Sequence, residues 1–317
     1  MSKPWMAEDI PSQVGRRFLI TGGNSGIGYH AALKLARKGA QVLLACRNRS
    51  KGEAAVAQLA EEAPGGHVEL ALLDLASLES VRQFAAEEIA RRRPLHVLIN
   101  NAGVLAPPRR RETTEGFEVQ FGTNVLGHFA LTGLLLPALQ LTASHSGERP
   151  RIVTIASIAH KRGGINFDDL QSTRSYSSMK SYQQSKLANL MLSLELSRRL
   201  RAASWPIISV AAHPGVADTN IFKKEDYSPF EKAVRNMMGH VIGTFLNTDA
   251  EGALPTLYAA TSPDVADGGY YGPQGFQEMR GETVGPAKIA PAARDQAAAA
   301  RLWGICEELT GVRYLDR

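Results

Sequence analysis

Two tyrosines in this chain each precede a lysine by four residues: Tyr176 before Lys180, and Tyr182 before Lys186. The spacing has meaning on a helix, where residues i and i+4 share a face. A free phenol has a pKa of about 10, too high for efficient proton transfer at neutral pH. An ammonium on the same face favours the phenolate and brings the group toward a working range. Tyr182 opens an uninterrupted helical pattern over 182–201, whereas Tyr176 lies in the Ser-rich approach to it. Tyr182 and Lys186 are therefore the pair expected to move a proton.

A second constellation lies near the start of the chain. The apolar run Arg17-Phe18-Leu19-Ile20 feeds Thr21-Gly22-Gly23-Asn24-Ser25-Gly26-Ile27-Gly28, and a helical pattern follows. Gly26-Ile27-Gly28-Tyr29-His30-Ala31 satisfies G-x-G-x-x-A, the dinucleotide fingerprint. Its glycines let the backbone approach a pyrophosphate, and the helix N-terminus offers free N–H groups and a positive dipole end. An ordinary glycine-rich βα turn could read the same way in isolation. The strand before and the helix after argue for the nucleotide.

The next strand-like run, Gln41-Val42-Leu43-Leu44-Ala45-Cys46-Arg47, bears on which dinucleotide. An NAD site places Asp or Glu about 20 residues past the fingerprint, on the ribose 2′-OH. Here that place holds Cys46 and then Arg47. A carboxylate would repel a 2′-phosphate, and a guanidinium pairs with one. The expected cofactor is NADP(H), with Arg47 as its selector and Lys51 assisting.

Those residues need a scaffold, and the pattern supplies one. Helical patterns run over 27–38, 51–62, 78–92, 116–140 and 181–201. Strand-like runs cover 17–21, 41–46, 68–73, 96–100, 151–156 and 207–213, and 268–272 offers one more. Such alternation implies an α/β fold: a Rossmann-like, doubly wound parallel sheet with helices on both faces. The runs are continuously apolar, as strands buried on both faces must be. No linker or repeat divides 1–317, so a single domain is expected. Its core is 12–217, an excursion covering the substrate is 218–265, and a C-terminal helix and tail packing on the rim is 290–317.

Composition excludes several classes. Hydrophobic residues at 44% and charged residues at 21% describe an ordinary soluble globular protein. The net charge of +5 is mild, and its tight basic runs, 91–93 and 109–111, lack interleaved aromatics, so no nucleic-acid partner is expected. Cys46 and Cys306 are far apart and without metal-ligand spacing, so no metal is expected and a reducing, cytoplasmic location is. The first 15 residues are polar and contain Pro4 and Pro11, which argues against a signal peptide or membrane anchor. The apolar stretch 129–141 is too short to span a membrane and is expected to break at Pro137.

Several short stretches fall at strand ends, where open α/β sheets bind ligands. Asn100-Asn101-Ala102-Gly103 follows the fourth strand, Ser157 the fifth, and His213-Pro214-Gly215 the sixth, while Tyr182-Gln183-Gln184-Ser185-Lys186 opens the long helix. In this order, with the Thr21–Gly28 turn, they resemble the short-chain dehydrogenase/reductase superfamily over about residues 14–219. Ala45-Cys46-Arg47, the gap from Ser157 to the tyrosine and the long segment after Pro214 look like its retinol dehydrogenase-like subgroup. Ser185 before Lys186 also matches the superfamily's preferred Y-x-x-S-K.

The resemblance implies roles. Tyr182 is the general acid, Lys186 tunes it and holds the nicotinamide ribose, and Ser157 polarises the substrate carbonyl. Asn124 matches the asparagine that holds a water passing protons to the lysine. On residue type alone, an Asn in mid-helix reads as a local polar contact. Asp74 matches a contact to the adenine amine, though an acid at a helix start would look the same. Asn101, Ala102 and Gly103 pass the adenine ribose, while Val216 and Thr219 reach the carboxamide and a phosphate. The implied cofactor surface also takes in Gly22, Asn24, Ser25, Gly26, Ile27, Gly28, Asn48, Leu75, Pro214 and Gly215. His160 and His213 read as polar contacts.

The function so implied is hydride transfer between NADP(H) and a small-molecule carbonyl or alcohol, bulky or hydrophobic because 218–249 is rich in apolar residues. An idle NADP(H)-sensing scaffold and a carbon–carbon double-bond reductase are the alternatives. Substrate identity, direction, use of NAD(H) and assembly as a homo-oligomer stay open.

Overall fold

The computed structural model describes residues 5–216 and 247–315. Eight strands form one sheet in the order β3-β2-β1-β4-β5-β6-β7-β8. They are β1 (Arg17–Thr21), β2 (Gln41–Cys46), β3 (His67–Leu72), β4 (Val97–Asn100), β5 (Arg151–Ile155), β6 (Ile208–Ala212), β7 (Tyr270–Pro273) and β8 (Val284–Pro286). The first seven run parallel, and β8 closes the edge antiparallel to β7. All residues of β1, β4 and β6 are buried, as strands covered on both faces must be. The edge strand β3 is partly exposed. It mixes His67 and Glu69 with Val68 and Leu70.

Successive residues of β1 feed opposite layers. Phe18 and Ile20 pack with Leu35 of α1 (Gly26–Arg37) and Leu59 of α2 (Arg49–Glu62). Leu19 packs with Phe84 of α3 (Leu78–Ala90) and with Phe121 of the short α4 (Val119–Phe121). That layer also holds Leu131 of α5 (His128–Ser146) and Leu187 of α6 (Ser178–Ala202). The period-2 alternation of a strand thus makes a doubly covered sheet. The chain reverses its direction of winding between β1 and β4, so Thr21 and Asn100 flank the crevice where such sheets bind ligands.

Four local outcomes differ from the sequence pattern. Pro137 does not break its helix but lies inside α5. Pro137 itself is exposed, so its ring projects away from the core that Leu135, Leu136 and Leu139 fill. The span 119–145 is consequently long and apolar enough to cross a membrane, yet 67% of its most apolar window is buried inside the fold. Residues 249–261, expected within the excursion, form α7 (Asp249–Gly252) and α8 (Leu254–Thr261), and Leu257, Ala259 and Ala260 are fully buried against the sheet. The C-terminal helix α9 (Gln296–Thr310) is core rather than rim: Leu302, Trp303 and Cys306 are buried on one face, and Trp303 packs edge-on against Phe129. Residues 218–246 of the expected excursion, with Thr219, lie outside the described residues.

Candidate active site

Four parallel-strand ends and one helix build the site. Helix α6 starts at Ser178, so Tyr182 sits one turn in and Lys186 directly beneath it. The Lys186 ammonium lies 5.9 Å from the centre of the Tyr182 ring and donates to the carbonyl of Ile155, at the end of β5, across 2.9 Å. Burial lowers its pKa to about 8. Ser157, two residues past that strand end, caps a 3₁₀ turn over Ile158–Arg162, accepting the N–H of Ala159 at 3.2 Å. Its hydroxyl neighbours the Tyr182 phenol and favours the phenolate.

The phenol itself departs from expectation. Burial pushes Tyr182 above the usual value, and Ser157 opposes that shift without reversing it. The ammonium of the lysine expected to lower it is itself disfavoured by burial.

Asn124 lies in a widened π-helical turn, Gly122–Gly127, that joins α4 to α5. Such turns recur at functional sites because they re-aim backbone and side chains. Gly127 permits this one: a Cβ there would fall 2.3 Å from the backbone oxygen of Leu75. The Asn124 carboxamide accepts from the N–H of Val104 at 2.7 Å, and donates to the Val104 carbonyl and to the Ser185 hydroxyl, each at 3.0 Å. Ser185 in turn donates to the carbonyl of Tyr182 at 2.8 Å. Asn124 therefore clamps the 101–104 loop to the Tyr182–Ser185 turn of α6 through partners 20 and 61 positions away in sequence. Gly103 lies between it and Lys186: a Cβ there would be 3.5 Å from Asn124 Oδ1 and 3.7 Å from Lys186 Nζ.

The competing tyrosine is committed elsewhere. Tyr176 precedes α6, donates to the carbonyl of Pro107 at 2.7 Å and receives the Gln120 amide at 3.4 Å, while Lys180 is exposed.

The glycine turn leads into the N-terminus of α1. Ser25 is the N-cap of α1 but makes no side-chain cap bond, and the first turn of α1 carries no acid of its own, while the Asp249 carboxylate lies 3.7 Å from where a Gly26 Cβ would sit. Gly22 and Gly26 take positive φ, +66° and +59°. Gly28 has a different reason: a Cβ there would meet the Asn101 amide at 2.5 Å. That amide donates to the carbonyl of Thr21 at 2.8 Å, joining the turn to the loop after β4. Asn24 and Ile27 flank the same turn.

The remaining predicted contacts ring this edge. Arg47 is exposed at the end of β2 and makes no ion pair among the described residues. Asn48 caps α2 by accepting the N–H of exposed Lys51 at 2.9 Å. Asp74 accepts from the N–H of Ala76 at 3.0 Å in a tight turn, and Leu75 is buried. Ala102 donates its N–H to the Thr21 hydroxyl at 3.0 Å. Pro214, Gly215 and Val216 follow β6. The Asn247 amide donates to the Pro214 carbonyl at 2.9 Å, and the N–H of Val216 donates to Met279 at 2.8 Å.

Sequence reasoning missed the residues that hold these groups in place. His128, Gln120, Tyr270 and Glu278 come from distant segments and carry no motif, and the sequence shows Thr21 only as the start of the glycine turn. His160 and His213 are polar contacts: His160 Nδ1 donates to the Ser157 carbonyl at 2.6 Å, and the N–H of Ala290 donates to its Nε2 at 3.2 Å.

An open strand-end crevice with a glycine turn, a serine, and a tyrosine stacked over a lysine has known counterparts. The short chain dehydrogenase family profile matches residues 16–228. Human retinol dehydrogenase 14 is 39% identical over 313 residues, covering 94% of this chain and 87% of its own. Human polyprenol dehydrogenase is 40% identical over 263 residues, covering 83% and 78%. A crystal structure of a Mycobacterium paratuberculosis protein, 40% identical, superposes with a TM-score of 0.79 and covers 98% of this chain and 99% of its own. With a match over most of its length and relatives this similar, the chain belongs to the short-chain dehydrogenase family, whose chemistry is oxidoreduction.

Proposed function

We propose that this protein is an NADP(H)-dependent oxidoreductase that interconverts a bulky or hydrophobic carbonyl compound and its alcohol. The observation that carries the reading is Ser157, Tyr182 and Lys186 gathered at one strand-end crevice, with the glycine turn that starts α1. A nucleotide-binding scaffold has no need of all three.

The bound nicotinamide supplies or takes the hydride. The chain's own residues handle the rest. Tyr182 donates its proton to the substrate oxygen in reduction and recovers it in oxidation. Ser157, beside that phenol, donates to the same oxygen as charge develops there. Lys186 holds the ribose and returns the proton to Tyr182. Its pKa of about 8 lets it be charged at neutral pH and still release a proton. Asn124 and Ser185 fix the 101–104 loop against this turn, so the reacting groups are positioned before substrate arrives.

The cofactor would be held by Gly22, Asn24, Ser25, Gly26, Ile27 and Gly28 at the pyrophosphate, by Asp74, Leu75, Asn101, Ala102 and Gly103 near the adenosine, and by Pro214, Gly215 and Val216 at the nicotinamide end. Thr219 lies outside the described residues. Arg47, Lys51 and the N-terminus of α2 near Asn48 gather positive potential where a 2′-phosphate would sit. The apolar substrate reading draws on the names of two relatives, since retinol and polyprenol are both apolar alcohols. Burial of the apolar span 119–145 and two free thiols support a cytoplasmic location.

The test is a panel of apolar aldehydes, ketones and alcohols, followed by nicotinamide absorbance with product analysis. Reduction at the carbonyl with NADPH is expected. Tight NADPH binding with no turnover on any compound would favour the scaffold, and a saturated product would favour a double-bond reductase.

A further inference from the structure

The turn between β7 and β8 contains two successive non-glycine residues in the left-handed region, Gln277 at φ +50° and Glu278 at +60°. L residues rarely adopt this conformation, and where it persists the surroundings hold it for a reason. Here it turns Glu278 inward. Its side chain is almost wholly buried, although an unpaired buried carboxylate would be costly.

Three segments converge on that carboxylate. Lys161, on the 3₁₀ turn that Ser157 caps, donates its ammonium at 2.7 Å. The N–H of Lys288, just past β8, donates at 2.8 Å. Nε2 of His213, at the end of β6, lies 3.6 Å away. Nδ1 of His213 accepts the N–H of Gly215 at 3.2 Å, so Nε2 carries the hydrogen and faces the carboxylate. It has no hydrogen-bond partner among the described residues. The next residue, Met279, accepts the N–H of Val216. Gly215 is required by this approach, since a Cβ there would fall 2.3 Å from the Met279 carbonyl. The Tyr270 ring lies between His160 and His213, with centroids 5.4 and 5.2 Å away, filling the space behind Ser157.

We infer that Glu278 is a positioning residue that fixes the Ser157 turn and the His213–Val216 segment relative to each other across the crevice. It touches neither substrate nor cofactor. One charged group, held inward by a strained turn, sets the distance between the hydroxyl that polarises the carbonyl and the backbone that flanks the nicotinamide. The inference rests on the proposed function only in naming what those two segments do.

The test uses Glu278→Gly, because glycine suits the left-handed backbone and removes only the carboxylate. Gln277→Gly is the control, with equal backbone relief and the carboxylate retained. Amide hydrogen exchange is read on the protein alone. Glu278→Gly should exchange faster, on the order of tenfold, in both 158–162 and 213–216, while Gln277→Gly changes only the turn itself. Faster exchange confined to 275–288, or equal effects of the two variants, would overturn the inference. With any carbonyl substrate that wild type reduces, Glu278→Gly should lower kcat by about 10–100-fold with KM little changed, as expected when reacting groups lose alignment. Glu278→Gln, whose single amide oxygen can serve the Lys288 N–H or Lys161 but not both, should recover part of that loss. If kcat per folded molecule is unchanged in Glu278→Gly, the positioning role is wrong. If instead Ser157→Ala leaves turnover intact while the exchange result holds, the proposed function fails and the structural coupling stands.

Discussion

Nε2 of His128 lies 2.9 Å from the hydroxyl of Thr21, which ties the helix following Asn124 to the strand that opens the glycine turn. On its other side, Nδ1 lies 3.1 Å from the carbonyl of Asn124 and must donate to it. Nε2 is then the acceptor, and the Thr21 hydroxyl donates to it while accepting the N–H groups of Asn101 and Ala102 at 2.9 and 3.0 Å. This arrangement needs a neutral imidazole. Three cofactor-side segments are held through one buried ring.

Burial pushes the His128 pKa from 6.5 down to about 4. The unfolded chain therefore binds a proton between those values that the folded chain refuses. Stability from this group is complete above pH 6.5 and is lost as pH falls toward 4, by at most about 3 kcal/mol. His213, lowered to about 3, and His160, also lowered, act in the same direction. Urea unfolding at several pH values should show wild type losing stability below pH 6.5. His128→Gln should be less stable at pH 7, with the gap narrowing on acidification. A gap that stays constant from pH 7 to 4.5 would sink the assignment of a neutral ring.

What the sequence made legible follows from locality. Strands buried on both faces must be continuously apolar, and 17–21 and 41–46 were readable to the residue. The helical pattern from 181 distinguishes the two tyrosines, and the structure starts α6 at Ser178, which leaves Tyr176 before the helix and Tyr182 one turn into it. The holding residues were not readable. Thr21 and His128 are 107 positions apart, and nothing in either neighbourhood announces the other. Glu278 is an ordinary acid until the left-handed turn aims it inward. Pro137 looked like a break because the solvent side of its helix cannot be known before the core is packed. The C-terminal helix that carries Trp303 was expected on the rim for the same reason.

Arg47 should select the cofactor. It stands exposed at the end of β2 with no described ion-pair partner, beside Lys51 and the start of α2. Losing a charge-assisted contact to a 2′-phosphate should cost about 1.5–3 kcal/mol of NADPH binding, or roughly 10–150-fold in affinity, and leave NADH binding little changed. Fluorescence titration of both cofactors against wild type and Arg47→Ala reads this directly. Equal losses for both, or a wild type that prefers NADH, would contradict it.

The two tyrosines give the sharpest distinction. Tyr182→Phe keeps the ring over Lys186 but removes the transferable proton. General acid catalysis is typically worth about 10²–10⁴-fold, so turnover should fall by that order while NADPH still binds. Tyr176→Phe loses a hydroxyl that serves the Pro107 carbonyl and the Gln120 amide, both structural partners. It should lower stability by about 1 kcal/mol and leave turnover within a few-fold. Lys186→Ala should reduce both turnover and cofactor affinity, because its ammonium lies under the phenol and is anchored at the end of β5. Rates measured with a single carbonyl substrate, even a poor one, suffice. An inactive Tyr176→Phe beside an active Tyr182→Phe would move the general acid out of α6, and the crevice at the ends of β4, β5 and β6 would then need another explanation.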